Sequence, residues 1–288
     1  MKSVKLDFAG IPGRDVYNIC APFEWNGHEV IAGRVEKRDE EFSEIVLFSE
    51  SGGTWHPVKG VPTFPGLQDP CITKIDGHPV LGGVRYPVTF GEDTGAWQME
   101  FYQLSAHPGT RKILTGPPKM KDIRFVQLPD SRIVVLTRPQ GERGGRGKIG
   151  YFVVDSLDGA TPEAIEHAPL LDQCPPEQWV GANEAHVLHN GKIGVLGHIA
   201  SFSDDGHRHY YSMAFAIDLE TGDSTEPEVI ATRSDFPPGV AKRPDLVDVI
   251  FSGGIRRLDN GRAKLYAGLS DAEAGYVEIP DPFLQHES

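Results

Sequence analysis

The stretch Asp76-Gly-His-Pro-Val-Leu-Gly-Gly83 places a tight-turn pair directly before a short apolar run. Asp-Gly and Asn-Gly pairs favour two-residue hairpin turns, because these turns need positive φ at their central positions. Similar turns recur along the chain, each between two apolar, β-rich runs. They are Asn26-Gly27, Asp76-Gly77, Pro129-Asp130-Ser131, Asn190-Gly191 and Asp259-Asn260-Gly261. The recurring turn predicts a chain built from antiparallel hairpins.

The spacing of the turns predicts how the hairpins are grouped. The turns lie near residues 26, 76, 130, 190 and 260, and a third β-rich run follows in most units. A repeat of roughly 40–70 residues folded as a small antiparallel sheet is typical of a propeller blade. We therefore predict an all-β fold, a five-bladed β-propeller, with residues 1–288 as one catalytic domain. A β-sandwich with irregular loops is the alternative, and no stretch has the helical periodicity of an α/β protein.

The composition limits the classes of partner. The chain has 288 residues and a formal net charge of −13, which argues against nucleic acid, although a few cations in a pocket can still bind a small anion. Its three cysteines, Cys20, Cys71 and Cys174, are too widely spaced to predict disulfides or a zinc site. The N-terminal residues lack an apolar signal core and no apolar run is long enough to span a membrane. We expect a cytoplasmic protein without a membrane partner.

Polar residues recur at fixed positions around the turns. In a propeller, the start of the first strand and the end of the second strand of every blade meet at the mouth of the central channel, where ligands usually bind. Acids and amides precede the turns at Asn18, Asp69, Asp122, Asn183-Glu184 and, more loosely, Asp245 and Asp248. Arg34, Arg85, Arg138, His198 and Ser270-Asp271 follow the turns. The pattern predicts a polar funnel suited to a sugar held beside an anion.

Within this funnel Asp69 is distinctive, because the following Pro70 restricts the backbone and directs the side chain inward. Asp122 and Asn183 could instead satisfy turn backbones, and Arg34 and Arg138 could be surface ion-pair partners. Both readings of these four residues stay open.

Two further signals are weaker. Gly145-Arg-Gly-Lys-Ile-Gly150 matches a dinucleotide fingerprint by letter but precedes a strand, so we treat the match as chance. The segment 138–148 is either a lid carrying Arg143, Arg146 and Lys148 or a solvent loop. The histidines around His198 and His209 lack the spacing of a metal site, and we predict no metal.

The order of motifs resembles a known family. The motifs are Asn18-Ile-Cys-Ala-Pro-Phe23, Ala32-Gly-Arg-Val-Glu36, Leu67-Gln-Asp-Pro70, Met120-Lys-Asp-Ile-Arg124, Thr137-Arg-Pro-Gln-Gly141, Gly181-Ala-Asn-Glu-Ala-His186, Gly197-His-Ile-Ala200, Arg243-Pro-Asp-Leu246, Phe251-Ser-Gly-Gly254 and Leu265-Tyr-Ala-Gly-Leu-Ser-Asp-Ala-Glu273. This series is similar to the β-1,2-mannosyltransferase/mannoside-phosphorylase family, once described only as a domain of unknown function. That family is related to the five-bladed mannoside phosphorylases and mannosidases. The resemblance extends over essentially the whole chain.

The resemblance implies roles for individual residues. The acid of the Asp-Pro motif, here Asp69, would be the proton donor. The phosphate-binding residues would be Lys121, Arg138, His198 and Tyr210 or Tyr211. Sugar hydroxyls would be held by Asn18, Arg34, Gln68, Asp122 and Asp245, and the funnel pattern adds Asn183 and Glu184 to the predicted substrate-binding set.

The predicted reaction is an inverting, reversible phosphorolysis of a β-mannoside that yields mannose 1-phosphate. The expected partners are a mannose-containing oligosaccharide and phosphate or mannose 1-phosphate, with GDP-mannose as a further candidate donor. No cofactor is expected, since inorganic phosphate is a co-substrate. One alternative is a β-mannosidase that uses Glu184, Asp122 or Asp248 as the base for water. The other is a propeller that binds sugar without catalysis.

Overall fold

Strands dominate the computed structural model, which describes residues 2–105 and 110–287. The first twelve strands are β1 (Ser3–Lys5), β2 (Asp7–Phe8), β3 (Asp15–Tyr17), β4 (Phe23–Trp25), β5 (His28–Glu36), β6 (Glu44–Ser51), β7 (Thr54–Pro57), β8 (Phe64–Pro65), β9 (Leu67–Ile75), β10 (His78–Phe90), β11 (Asp93–Leu104) and β12 (Thr110–Thr115). The remaining strands are β13 (Arg124–Gln127), β14 (Ile133–Thr137), β15 (Gly150–Val154), β16 (Trp179–Val187), β17 (Ile193–Phe202), β18 (Arg208–Ile217), β19 (Glu228–Ala231), β20 (Asp248–Arg257), β21 (Arg262–Leu269) and β22 (Glu273–Pro280).

Helical structure is confined to short segments. The two α-helices are α1 (Gly141–Gly144) and α2 (Pro162–Glu166), and single 3₁₀ turns occupy Leu157–Gly159, Arg233–Asp235, Pro244–Leu246 and Leu284–His286. Over the described part of the chain, no helix has the length and apolarity that crossing a membrane requires. The prediction of an all-β fold is confirmed.

The strands form five ladders in chain order, which are antiparallel except for a short parallel pairing of β2 with β7. The first contains β3 to β8 with β2 at its edge, the second β9 to β12, the third β13 to β15 and the fourth β16 to β19. In the fifth ladder, β20 to β22 are completed by β1, which pairs antiparallel with β22. A short parallel pairing of β18 with β20 joins the last two ladders into one sheet. Each turn identified in the sequence lies between two consecutive strands of a ladder, and Asn26 and Asp76 have the positive φ that such turns need.

Neighbouring ladders pack against each other in a closed series. β5 contacts β9, β9 contacts β13, β13 contacts β16, β16 contacts β20, and β21 and β22 contact β3 of the first ladder. Five clusters of buried apolar side chains occupy the five junctions between ladders. In the junction between the fifth and first ladders, Tyr266 and Ala274 pack with Val16, Ile19 and Ile31. The core is therefore divided among the junctions.

The first strands of three ladders have irregular pairing with the strand that follows. The pairing of β9 with β10 shifts register beside Asp69, that of β16 with β17 beside Asn183, and that of β20 with β21 beside Gly253. Such bulges change the direction in which the neighbouring side chains point. Asn18, Asp69 and Asp122 also have left-handed backbones, with φ of 44°, 50° and 61°. Asn and Asp tolerate this conformation better than other residues with a side chain.

We predict that Gly253→Ala destabilises the protein at the junction of the fifth and first ladders. A Cβ at this position would overlap the carbonyl oxygen of Ile19, which cannot move without shifting the backbone. We expect a loss of about 1–3 kcal/mol in the free energy of unfolding, as for other overpacking substitutions. Gly95→Ala is the control, because a Cβ there meets no atom within 4 Å. Thermal unfolding followed by circular dichroism measures both variants, and equal Tm values would contradict the closed packing.

Candidate active site

A single cavity of about 610 Å³ receives side chains from all five ladders or the loops that follow them. Its lining comprises Asn18, Arg34, Glu41, Gln68, Asp69, Lys121, Arg138, Gln140, Arg146, Trp179, Phe202, Arg208, Tyr210, Arg243, Leu246, Val249, Phe251 and Asp271. Carboxyl groups come from the first, second and fifth ladders, and amides come from Asn18, Gln68 and Gln140 of the first, second and third. Most of the cations and aromatic rings come from the third and fourth. The cavity therefore has two walls of different chemistry.

On the acidic wall, Asp69 is held by two neighbours from the first ladder. Its Oδ1 accepts hydrogen bonds from Asn18 Nδ2 at 2.8 Å and from Arg34 Nη1 at 3.2 Å. The Asp69 side chain keeps 16% of its surface exposed, and it faces the cavity. One oxygen is thus anchored while the carboxyl group stays accessible to a ligand.

Arg34 is itself fixed by a buried carboxylate. Its Nη2 donates to Glu36 Oε2 at 2.8 Å, and its Nε donates to the Ser43 hydroxyl at 3.0 Å. Glu36 also accepts hydrogen bonds from Tyr17 and Lys242. Burial opposes ionisation of Glu36, but the Arg34 charge and these donors hold its pKa below the ordinary value. The anionic Glu36 therefore keeps the Arg34 guanidinium in place beside Asp69.

Asp271 is a second carboxyl group in the cavity. Its backbone is left-handed, with φ of 52°, and it lies at the end of the hairpin formed by β20 and β21. Burial raises its pKa, the Arg34 charge opposes that shift and the nearby Asp69 carboxylate adds to it. Within residues 2–105 and 110–287, no hydrogen bond to its carboxyl oxygens is present. Asp271 is thus a candidate hydrogen-bonding group for a ligand.

On the cationic wall, Arg138 is a buried guanidinium with spare donor capacity. Its Nε donates to the Val180 carbonyl at 2.9 Å and lies 3.4 Å from Asp122 Oδ2. Its Nη1 is buried and has no partner among the described residues. A buried donor of a charged group without an acceptor is costly, so the site is suited to an anion. Lys121 and Tyr210 line the same cavity.

Asp122, His198 and Asn183 form a buried layer behind Arg138. His198 Nδ1 is 2.8 Å from Asn183 Oδ1, and its Nε2 is 3.8 Å from Asp122 Oδ2. Burial lowers the pKa of His198 to about 3, so the imidazole is neutral near pH 7. Burial opposes ionisation of Asp122, but the Arg138 and Arg124 charges keep its pKa low. A Cβ at Gly181 would come within 2.5 Å of the His198 ring, and only glycine leaves room for this layer.

Six of the thirteen predicted site residues lie outside the cavity lining. Three of them are Asp122, Asn183 and His198 of the buried layer, and the other three are Glu184, Asp245 and Tyr211, which contact other residues. Glu184 accepts hydrogen bonds from His186 at 2.9 Å and from the Ile255 amide at 2.7 Å. Asp245 pairs with Arg208 at 3.1 Å, and the Tyr211 hydroxyl donates to Asp248 at 2.7 Å. These contacts engage all three side chains with the protein itself.

The cavity brings together seven of the residues singled out in the sequence. They are Asn18, Arg34, Gln68, Asp69, Lys121, Arg138 and Tyr210. Asp271 had been noted only as a residue after the fifth turn, and Trp179, Phe202 and Arg208 carried no sequence signal. Arg146 lies in segment 138–148 and lines the cavity, whereas Arg143 donates to the His167 carbonyl and Lys148 pairs with Asp172.

The described residues include no group of three or more His, Cys, Asp or Glu side chains placed to hold a metal ion.

Solved structures of similar proteins share this fold over the whole chain. A mannose phosphorylase from Leishmania mexicana, MPT-4, in complex with a phosphate ion is 35% identical, with a TM-score of 0.91 and coverage of 100% of this chain and 91% of that one. A GDP-Man-dependent mannosyltransferase from the same organism, MPT-1, is 30% identical, with a TM-score of 0.89 and coverage of 100% and 92%.

A β-1,2-mannobiose phosphorylase from Listeria innocua is 15% identical with a TM-score of 0.64, over 97% of this chain and 94% of that one, which indicates a shared fold. No curated protein sequence matches the chain significantly. A family model described as "Protein of unknown function (DUF1861)" matches residues 1–285. The chain thus belongs to the DUF1861 family and is a relative of the Leishmania mannose phosphorylase and mannosyltransferase.

Proposed function

We propose that the protein is a mannoside phosphorylase that transfers mannosyl groups between a β-1,2-linked mannoside and phosphate with inversion. The observation that carries this proposal is one cavity lined by both Asp69 and the buried Arg138, whose Nη1 has no partner among the described residues. A carboxyl group and an anion site are the two elements that phosphorolysis of a glycoside requires. The reactions named for the relatives at 30–35% identity support the same class of chemistry.

The proposed anion site consists of Arg138, Lys121 and Tyr210, with neutral His198 behind them. A phosphate oxygen would accept the free Nη1 hydrogen bond of Arg138, and hydrogen bonds between charged groups are stronger than neutral ones. Asp122 offsets part of the Arg138 charge, so phosphate can be bound and released. The site thereby binds an anion although the whole chain carries a net charge of −13.

In the proposed mechanism, a phosphate oxygen attacks the anomeric carbon and the bond to the leaving sugar breaks. Asp69 protonates the leaving oxygen, directly or through a sugar hydroxyl. Asn18 and Arg34 orient Asp69, while Gln68 and Asp271 hold sugar hydroxyls. A phosphorylase needs no carboxylate base, because its nucleophile is already an anion that only has to be bound and oriented. The product is α-mannose 1-phosphate.

Hydrolysis is the second candidate, and Asp271 is the observation that favours it. An inverting hydrolase needs a second carboxylate that activates water. Glu184, Asp122 and Asp248 are engaged by protein groups, whereas Asp271 lines the cavity with Asp69. The raised pKa of Asp271 disfavours the ionised form that a base requires. We therefore assign it to sugar binding.

We also propose that the five ladders are the blades of one propeller that spans the single catalytic domain 1–288. The closed series of ladder contacts and the five apolar junctions support this arrangement. The cavity would then lie at one mouth of the central channel, which explains why every ladder contributes to it.

The substrate assignment predicts that β-1,2-mannobiose is cleaved only when inorganic phosphate is present. Mannose 1-phosphate and mannose should form in equal amounts, because the anion site supplies the nucleophile. Ion chromatography of reactions with and without phosphate measures this directly. Release of free mannose alone, at one rate in both reactions, would establish hydrolysis and overturn the proposal.

For the proton donor, we expect Asp69→Asn to lower kcat by about 10²–10⁴-fold, as is typical for loss of general acid catalysis. Binding of β-1,2-mannobiose should change little, since the amide still fits beside Asn18 and Arg34. Isothermal titration calorimetry and initial rates together separate the two effects. Asp172→Asn is the control, because Asp172 is 91% exposed and pairs with Lys148. A variant at position 69 with unchanged kcat would exclude this role.

For the anion site, we expect Arg138→Gln to raise the KM for phosphate by about 10- to 150-fold, the effect of losing 1.5–3 kcal/mol of charged hydrogen bonding. Arg143→Gln is the matched control, because that guanidinium belongs to the same segment but donates to the His167 carbonyl. Thermal unfolding of both variants checks that the Asp122 layer survives. If a folded Arg138→Gln protein kept the parental KM for phosphate, the phosphate would have to bind elsewhere.

A further inference from the structure

Lys242 is a buried ammonium group that joins the segment before the fifth ladder to the first ladder. Its side chain keeps only 5% of its surface exposed. Nζ donates hydrogen bonds to Glu36 Oε1 and, at 3.0 Å each, to the Glu40 carbonyl and Glu41 Oε1. These acceptors match the three donors of an ammonium group. The backbone amide of Lys242 donates to the Ser270 carbonyl at 2.9 Å, which anchors the residue at the end of β21.

Glu36 connects Lys242 to the acidic wall of the cavity. The Glu36 side chain is 1% exposed, and its Oε1 accepts hydrogen bonds from Lys242 and the Tyr17 hydroxyl. Its Oε2 accepts a hydrogen bond from Arg34 Nη2 at 2.8 Å. The Nη1 of the same guanidinium donates to Asp69 Oδ1 at 3.2 Å. A continuous series of charged contacts therefore runs from Lys242 to Asp69.

We propose that Lys242 is a positioning residue for Asp69 and acts through the carboxylate of Glu36. This inference rests on the proposed function, because Asp69 is the proposed proton donor. Lys242 does not belong to the described residues that line the cavity, so it is assigned no contact with substrate. Its role is to keep Glu36 charged and in place, and thereby to hold the Arg34 guanidinium beside Asp69.

The ionised form of Glu36 depends on its donors. Burial opposes ionisation, but nearby groups hold the pKa of Glu36 below its ordinary value. These groups are the charged Arg34 and the hydrogen-bond donors Lys242, Ser43 and Tyr17. A buried carboxylate that loses one of two cationic partners takes up a proton more readily. A neutral Glu36 would hold the Arg34 guanidinium less firmly, because hydrogen bonds between charged groups are the stronger ones.

A second carboxylate competes for the same guanidinium. Glu41 is 50% exposed, and its Oε2 accepts a hydrogen bond from Arg34 Nη2 at 3.2 Å. Its Oε1 is held by Lys242. Without Lys242, Glu41 would be less restrained and would draw Arg34 away from Asp69. A displacement of about 1 Å in a catalytic site can lower the rate about 100-fold, so a small shift suffices.

Initial rates of the full-length Lys242→Met protein with β-1,2-mannobiose and phosphate test the inference. We expect kcat to fall about 10- to 100-fold, because Asp69 loses its orientation. The KM for phosphate should stay within about twofold of the parental value, since Arg138 lies on the opposite wall. Arg256→Gln is the matched control and should keep the parental kcat. Arg256 pairs with Glu29 at 2.6 Å, and this pair also joins the fifth and first ladders but lies outside the cavity lining.

The pH profile of kcat separates positioning from a general loss of stability. In the parent protein, Glu36 stays ionised until the pH falls through its lowered pKa. Lys242→Met removes one cause of that lowering, so the loss of kcat on acidification should begin at a higher pH. Lys242→Arg keeps a cation at this position and should retain the parental acid limb. Tyr17 and Arg34, the other titratable or charged groups that donate to Glu36, are unchanged in both variants.

A double variant tests whether Lys242 acts through Glu36, even if Lys242→Met alone fails to fold. Glu36→Gln removes the buried charge that needs a counter-ion, so adding Lys242→Met to it leaves no unpaired buried carboxylate at position 36. The double variant should have the kcat of Glu36→Gln within about threefold, because residues that act in series do not have additive effects. A lower kcat in the double variant would overturn the inference, as would a parental kcat and pH profile in Lys242→Met.

The reaction of the parent protein separates this inference from the function on which it rests. If the parent released free mannose without phosphate, the phosphorylase assignment would fail. The same variants would then be measured on hydrolysis, and the expected loss of kcat with its altered pH profile would sustain the role of Lys242. Phosphorolysis at the parental rate in a folded Lys242→Met protein would contradict the positioning role and leave the proposed function standing.

Discussion

The buried contact between Arg138 and Asp122 is the interaction on which the cavity depends. A guanidinium that is only 3% exposed would be strongly destabilising without a counter-charge, and Asp122 lies 3.4 Å from its Nε. Asp122 remains ionised although it is buried, because Arg138 and Arg124 lower its pKa. His198 is kept neutral by the same burial. The layer therefore pairs the Arg138 charge with Asp122 and leaves the buried Nη1 of Arg138 without a partner among the described residues.

Much of the acidic wall depends on backbone conformations that few residues adopt. Asn18, Asp69 and Asp271 all have positive φ, and each projects its side chain into one cavity. A regular β-strand directs successive side chains alternately to its two faces. Regular strands would therefore not bring these three side chains together. Strained backbone at binding sites is maintained by the surrounding structure. Here the surrounding support is the Glu36–Arg34 pair and the packed junctions between ladders.

The turns and the best-marked polar residues could be predicted because each has a local cause. Asp76-Gly77 favours its hairpin whatever surrounds it. Pro70 marks Asp69 in the sequence, but the left-handed φ of 50° at Asp69 is not the extended backbone that a following proline favours. Glu184 has a similar sequence setting, yet its carboxylate is captured by His186 and the Ile255 amide, and Ile255 belongs to another ladder. Phe202 looks like an ordinary strand residue, and only the approach of Arg146 and Arg208 gives it a distinct environment. Contacts between ladders thus determine the surroundings of these side chains, which local sequence patterns do not show.

The pairing of β1 with β22 has a consequence for how the chain acquires its structure. Ser3 lies opposite Val277, so the outermost strand of the last ladder comes from the beginning of the chain. Contacts between residues far apart in sequence carry a large loop-closure entropy and slow the folding of β proteins. During synthesis, the segment Ser3–Lys5 has no partner strand until Glu273–Pro280 has left the ribosome. The earlier ladders must remain soluble in an open arrangement until the fifth ladder has been made.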